Sequence, residues 1–166
     1  MFMSGKIHRY LADDHRRLEG LLNRIFSDSG AVDGEAYAQF RAGLLKHIAW
    51  EEKILLPAAR RILGEPLPVA ARLRLDHGAL TALLVPPPTP RVIAAIGAIL
   101  KRHNPLEEDP GGMYDRCEEL AGAETDQILR QLQNYPEVKV LPNVDNEFVM
   151  DAARRALARA GYELAI

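Results

Sequence analysis

The chain has 166 residues, 48% of them hydrophobic, with 21 basic and 23 acidic side chains and a net charge of -2. That is enough sequence for one domain with a proper core and too little for two comfortable ones. So balanced a charge offers no strong field for nucleic acid or an anionic membrane, and a single cysteine, Cys117, excludes an internal disulfide and a cysteine cluster for zinc or iron-sulfur.

The first residues contain no apolar run of signal-peptide length, and no stretch approaches the ~20 apolar residues of a membrane span. A soluble, cytoplasmic protein is expected. Over residues 6–27, Leu11, His15, Leu18, Leu22 and Ile25 recur at steps of four and three, which predicts an amphipathic helix with His15 inside its buried stripe. Ser27, Asp28, Ser29 and Gly30, followed by Asp33 and Gly34, predict a short loop.

A second helix is predicted over residues 35–63, with Phe40, Leu44, His47, Glu51, Leu55, Ala58 and Ile62 on one stripe. Pro57 sits inside it, and an internal proline removes a hydrogen bond at a cost of ~3 kcal/mol or more, so a kink is expected one to two turns past Glu51. Gly64 and Pro66 end the helix. A third helix over residues 68–85 carries Leu73, His77, Leu80 and Leu84 on one face. The run from Pro86 to Pro90 stops it in a stiff, extended connection.

The fourth helix, from about residue 91, places Ile93, Ile96, Leu100, His103 and Glu107 in phase. Pro105 between His103 and Glu107, and Asp109-Pro110-Gly111-Gly112 directly after, predict a kink or break near the site. Residues 113–135 read as further helix with a weak point at Gly122. Residues 136–145 read as irregular, and 146–160 as a last helix with Asn146 as N-cap and Gly161 as stop.

The chain repeats itself. His47-x-x-x-Glu51-Glu52 after Lys46 returns as His103-x-x-x-Glu107-Glu108 after Arg102, and Asp14-His15 with Leu18, Leu21 and Leu22 returns as Asp76-His77 with Leu80, Leu83 and Leu84. Two αα-hairpins in tandem make an antiparallel four-helix bundle. The fold class is all-α: an up-down-up-down bundle over residues 1–120, with a helical extension at 121–166 packed on it.

In a helix, residues four apart share a face, so His47 and Glu51, and His103 and Glu107, are aimed together. A single histidine on an apolar face is more often a core residue than a ligand. Four imidazoles and two carboxylates inside one small bundle are different, because buried carboxylates must be neutralised, paired or bound to metal, and arginines are scarce on these stripes. Metal binding by His15, His47, Glu51, His77, His103 and Glu107 is the expectation. Ferritin-like di-iron bundles use Glu-x-x-His instead.

This ordered set of motifs resembles the hemerythrin-like, or HHE cation-binding, domain over about residues 6–120, and Glu51-Glu52 ending in Pro57 is similar to the family's proline-terminated segment. The resemblance implies two non-haem iron ions, oxo- or hydroxo-bridged, in a four-helix bundle. His15, His47, His77 and His103 would be terminal ligands, with Glu51 and Glu107 bridging. Manganese and zinc accept such donors too. Oxygen-carrying hemerythrins have a further histidine one turn before the third-helix ligand. That position here is Leu73, which disfavours reversible oxygen storage.

The first function implied is binding of oxygen or nitric oxide for sensing or stress response, without catalysis. The alternative is an iron-handling or redox enzyme, acting in iron-sulfur repair or in nitric oxide or peroxide reduction. A third reading is a metal-free helical scaffold whose polar interior pairs internally.

Around the predicted ligands, Asp14 and Asp76 divide between outer partners of the histidines and solvated residues, since a neighbour in sequence points about 100° away. Glu52 and Glu108 read as solvated, and His8 as a rim or surface residue. Trp50, Tyr10, Tyr37 and Tyr114 read as core or rim aromatics, a tyrosine near the metal being the sharper alternative as a hydrogen-bond donor to bound oxygen. Cys117 reads as structural. Arg154, Arg155 and Arg159 read as a solvated face, and the tail as a candidate homodimer surface.

Overall fold

The computed structural model describes residues 4–26 and 30–166, so residues 27–29 of the expected loop lie outside the described residues. It is all-helical: α1 (Lys6–Ile25), α2 (Gly34–Trp50), a π-helical turn (Glu51–Leu55), α3 (Leu56–Leu63), α4 (Ala70–Leu83), α5 (Pro90–Glu108), α6 (Met113–Ala121), a 3-10 turn (Gly122–Glu124), α7 (Thr125–Gln133) and α8 (Glu147–Arg159). None of the described helices is long and apolar enough to cross a membrane.

Local chemistry accounts for the ends. The Asp33 carboxylate accepts from the amides of Glu35 and Ala36, Thr89 Oγ1 from Val92, and Asn146 Oδ1 from Val149, each satisfying amides that a helix start leaves open. Helix α1 has no such residue of its own. Glu118 of α6 caps it instead, accepting from the amides of Lys6, Ile7 and His8 at 3.1, 2.7 and 3.2 Å, which clips α6 across the start of α1. Gly64, at φ 89°, closes α3 in the left-handed conformation.

Two prolines leave different marks on their helices. Ahead of Pro57 the chain widens at Glu51, into the π turn, where the Leu56 amide bonds back to the Glu51 carbonyl. A proline ring collides with the carbonyl four residues back and donates nothing to it, and a π turn relieves both problems. Pro105 causes no break: α5 runs through it to Glu108, and the Asp109 amide reaches the Pro105 carbonyl at 3.1 Å. Pro105 and Lys101, whose carbonyl loses its donor, are both exposed, and a carbonyl that reaches solvent is satisfied there.

The core has two apolar clusters. One joins Leu18, Phe40, Leu44, Leu80, Ile96 and Ile99 with residues of α8. The other joins Leu11, Leu55, Leu73, Met113, Tyr114 and Leu132. The stripes of α1, α2 and α4 pass from one to the other through their histidines, and that of α5 runs from the first cluster to His103 and Glu107, so the polar groups lie between two apolar layers.

The C-terminal helices complete this core. Ala153, Ala156, Leu157, Ala160 and Tyr162 are buried in the first cluster, where α8 packs on α4. Asn143 Nδ2 donates to the carbonyls of Leu84, Val85 and Pro86, and Arg41 Nη1 to that of Leu141. These bonds pin the extended segment before α8.

Candidate metal centre

The six predicted ligands converge. His15 comes from α1, His47 from α2, Glu51 from the π turn, His77 from α4, and His103 and Glu107 from α5. All are buried, and both glutamates have no exposure at all. They form two groups, His15-His47-Glu51-Glu107 and Glu51-His77-His103-Glu107, with one donor atom of each residue within 4.8 Å of the others in its group.

Both carboxylates belong to both groups, through different oxygens. Glu51 Oε1 lies 3.2 Å from His47 Nε2, and its Oε2 lies 3.1 Å from His77 Nε2. Glu107 Oε2 lies 3.4 Å from His15 Nε2, and its Oε1 lies 3.0 Å from His103 Nε2. Each glutamate thus spans two neighbouring positions, as a bridging ligand must.

The other ring nitrogens meet a second set of carboxylates, arranged as a closed ring. Asp14 on α1 accepts from His47 Nδ1 at 2.8 Å, and Glu52 in the π turn from His77 Nδ1 at 2.8 Å. Asp76 on α4 accepts from His103 Nδ1 at 3.2 Å, and Glu108 on α5 from His15 Nδ1. Every segment orients the histidine of the next. A carboxylate accepting from Nδ1 fixes the tautomer and leaves the Nε2 lone pair free for a metal, the usual outer arrangement of metal-bound histidines.

The assignments around the ligands change accordingly. Asp14 and Asp76 are partners of histidines, though of the neighbouring helix's histidine, which is where a side chain rotated by about 100° points. Glu52 and Glu108 are not solvated bystanders; they close the ring. His8 is neither rim nor surface: it is 8% exposed and bonds Asp115 through Nδ1 at 2.6 Å.

Electrostatics show what the groups do without a cation. Burial opposes charge on His47, but Glu51 and Asp14 outweigh it and hold its pKa at about 10. The same contest, won by the surrounding carboxylates, places His77 at about 12 and His103 at about 9. Burial pushes Glu51 up, but the His47 and His77 charges win and keep it well below its ordinary value. For Glu107, burial and the Glu51 charge push up, and His103 and His77 prevail downward.

The donor set fits a metal. Arg17, Arg74 and Arg72 pair with the outer carboxylates Asp14, Glu52 and Asp76. Among the described residues, no lysine or arginine pairs with Glu51 or Glu107, whose ion-pair partners are histidines. His77 Nε2, Glu51 Oε2 and Glu107 Oε1 are buried with no hydrogen-bond partner, since their short contacts lack hydrogen-bond alignment. Native interiors rarely leave such atoms unsatisfied, and here all three converge within the second group.

A model of the hemerythrin HHE cation-binding domain matches residues 6–110. The chain belongs to the hemerythrin HHE cation-binding family. No curated protein and no solved structure matches it. The buried His/Glu groups suit the metal binding for which the HHE domain is named. Leu73, where oxygen carriers resemble one another in having a histidine, is fully buried in the apolar layer beside His77.

One member of the site reads from the sequence as a core or rim aromatic, with a place near the metal only as the alternative. Tyr114, on α6 beyond the matched region, puts its hydroxyl 3.0 Å from His47 Nε2, 3.1 Å from His15 Nε2, 2.7 Å from Glu51 Oε1 and 3.3 Å from Glu107 Oε2. Without a cation, burial and the charges of Glu107 and Glu51 raise its pKa well above the usual value, so the phenol is protonated. Tyr114 has no counterpart in the repeat. The signal was Gly111-Gly112, a sharp turn that sends α6 back over the site: a Cβ at Gly112 would lie 2.8 Å from the carbonyl oxygens of Asp109 and Glu107.

Proposed function

We propose that this hemerythrin HHE protein holds two iron ions between α1, α2, α4 and α5 arranged as an up-down-up-down bundle, and binds oxygen or nitric oxide there for sensing or stress response. His15, His47, His77 and His103 are the terminal ligands, and Glu51 and Glu107 bridge. Residues 1–120 form the bundle and 121–166 an extension of the same domain. The observation that carries this reading is the division of each glutamate's two oxygens between the two groups.

Iron in such a nitrogen and oxygen donor set supplies open coordination positions and one-electron chemistry toward a diatomic ligand. The chain supplies the rest. The outer carboxylates hold each imidazole in one tautomer and orientation, and the apolar layers keep bulk water from the glutamates. A cleft of about 540 Å³ between α1 and α5, lined by Leu18, Leu22, Leu44 and Leu100, reaches His15 and Glu108 and is wide enough for a small neutral molecule.

The test is the optical spectrum of iron(II)-loaded protein before and after oxygen or nitric oxide is added without air. A new, stoichiometric visible absorption with either gas is expected. A chain that binds no iron, or binds zinc tightly with no response to either gas, would overturn the reading.

A further inference from the structure

The two groups of donors are unequal. In the group of Glu51, His77, His103 and Glu107, the inner atoms converge on one another with three of them unpartnered. In the group of His15, His47, Glu51 and Glu107, one donor atom of every member lies within 3.3 Å of the same oxygen, the Tyr114 hydroxyl. We propose that Tyr114 Oη is a further protein ligand of the ion held by His15 and His47. This rests on the reading that the six residues bind metal.

Hydrogen bonding alone does not explain four such neighbours. A phenol has one proton to donate and two lone pairs to accept with, so at most three of the four contacts are satisfied at once. A cation among the same donors uses them all: the O–H bond breaks, an oxygen–metal bond forms and the proton leaves to solvent.

The hydroxyl also has nowhere else to go. Tyr114 has no exposure, and its ring meets His8 edge-on at 5.8 Å. Its helix is fixed at three points: the close approach of Gly112 to the end of α5, the Asp115 carboxylate bonded to His8 and to the Gly111 amide, and Glu118 capping α1. A cation entering the first group therefore either unseats α6 or binds the oxygen already there. A phenolate is a hard, anionic donor and favours iron, above all iron(III), over softer ions.

The experiment is visible absorption and resonance Raman spectroscopy of the full chain loaded with iron(III), with Tyr114→Phe alongside. Wild type should show a phenolate-to-iron charge-transfer band and enhanced tyrosinate ring modes. Tyr114→Phe should lose both, and bind one of its two ions at least about 10- to 100-fold more weakly, the scale reached by losing even an outer partner, with the other ion unaffected. Two irons per wild-type chain without tyrosinate modes would overturn the proposal whether or not the variant folds, as would the same modes in Tyr114→Phe. A chain that takes up no iron would instead overturn the metal-binding reading, and this proposal with it.

Discussion

Substituting Glu52 isolates the ring of outer carboxylates, because Glu52 touches a ligand without being one. Its Oε1 accepts from His77 Nδ1 at 2.8 Å, and its Oε2 lies 3.3 to 3.4 Å from Arg74. The Arg74 pair is exposed on the arginine side, and such pairs contribute only about 0–1 kcal/mol, so the His77 contact dominates. Loss of an outer carboxylate typically lowers metal affinity about 10- to 100-fold, or about 1.4 to 2.7 kcal/mol. Glu52→Gln keeps a carbonyl acceptor and loses only the charge, so the lower end is expected. Glu52→Ala loses both and belongs at the upper end. Chelator competition that resolves two binding steps is the assay. One step should shift and the other, the ion at His15 and His47, should stay within about twofold. If Glu52→Ala binds both ions as wild type does, the ring does not orient the ligands.

Three further outcomes follow from particular contacts. In the metal-free chain, His47, His77 and His103 have folded pKa values of about 10, 12 and 9 against an ordinary 6.5. Their contribution to stability is therefore complete below pH 6.5 and lost as pH rises through 9 and beyond. The depressed Glu51 and Glu107 contribute above their ordinary 4.5 and lose that contribution as pH falls through their lower folded values. Melting of the metal-free protein should thus weaken progressively above pH 6.5 and on through pH 9 to 10, and metal uptake near pH 7 should release protons from these histidines, read by calorimetry in buffers of different ionisation enthalpy. Gly112→Ala drives a Cβ against backbone at 2.8 Å. It should cost on the order of 1–3 kcal/mol by overpacking, measured by denaturant unfolding, and loosen Glu107. Tyr162→Phe removes the 3.0 Å hydrogen bond to Asp76, the outer partner of His103. Its expected cost is about 1 kcal/mol of stability, with a severalfold loss of affinity at one ion in the same chelator titration.

What could be read from the sequence was whatever one helix determines by itself. The periodicity of Leu11, His15 and Leu18, or of Ile96, His103 and Glu107, fixes which way a side chain faces on its own helix, and that sufficed to pick the inward residues. It says nothing of what the next helix presents. Asp14 and Glu52 were therefore ambiguous or misread, since each serves a histidine of another helix. Tyr114 stayed divided between core, rim and near-metal readings for a related reason, because it enters from outside the repeat on a turn set by Gly112. The prolines show a third limit. Residue type signals a disturbed hydrogen bond at Pro57 and Pro105, but the helix widens before one and runs through the other, although both prolines and the lysines four residues back, Lys53 and Lys101, are exposed alike.

The most direct test of the two-ion centre is the iron content of the full chain after anaerobic reconstitution and removal of excess metal. Two ions per chain are expected, falling below one when Glu51 and Glu107 are both changed to glutamine. A folded wild-type chain that retains no iron, or a double variant that still retains two, would contradict it.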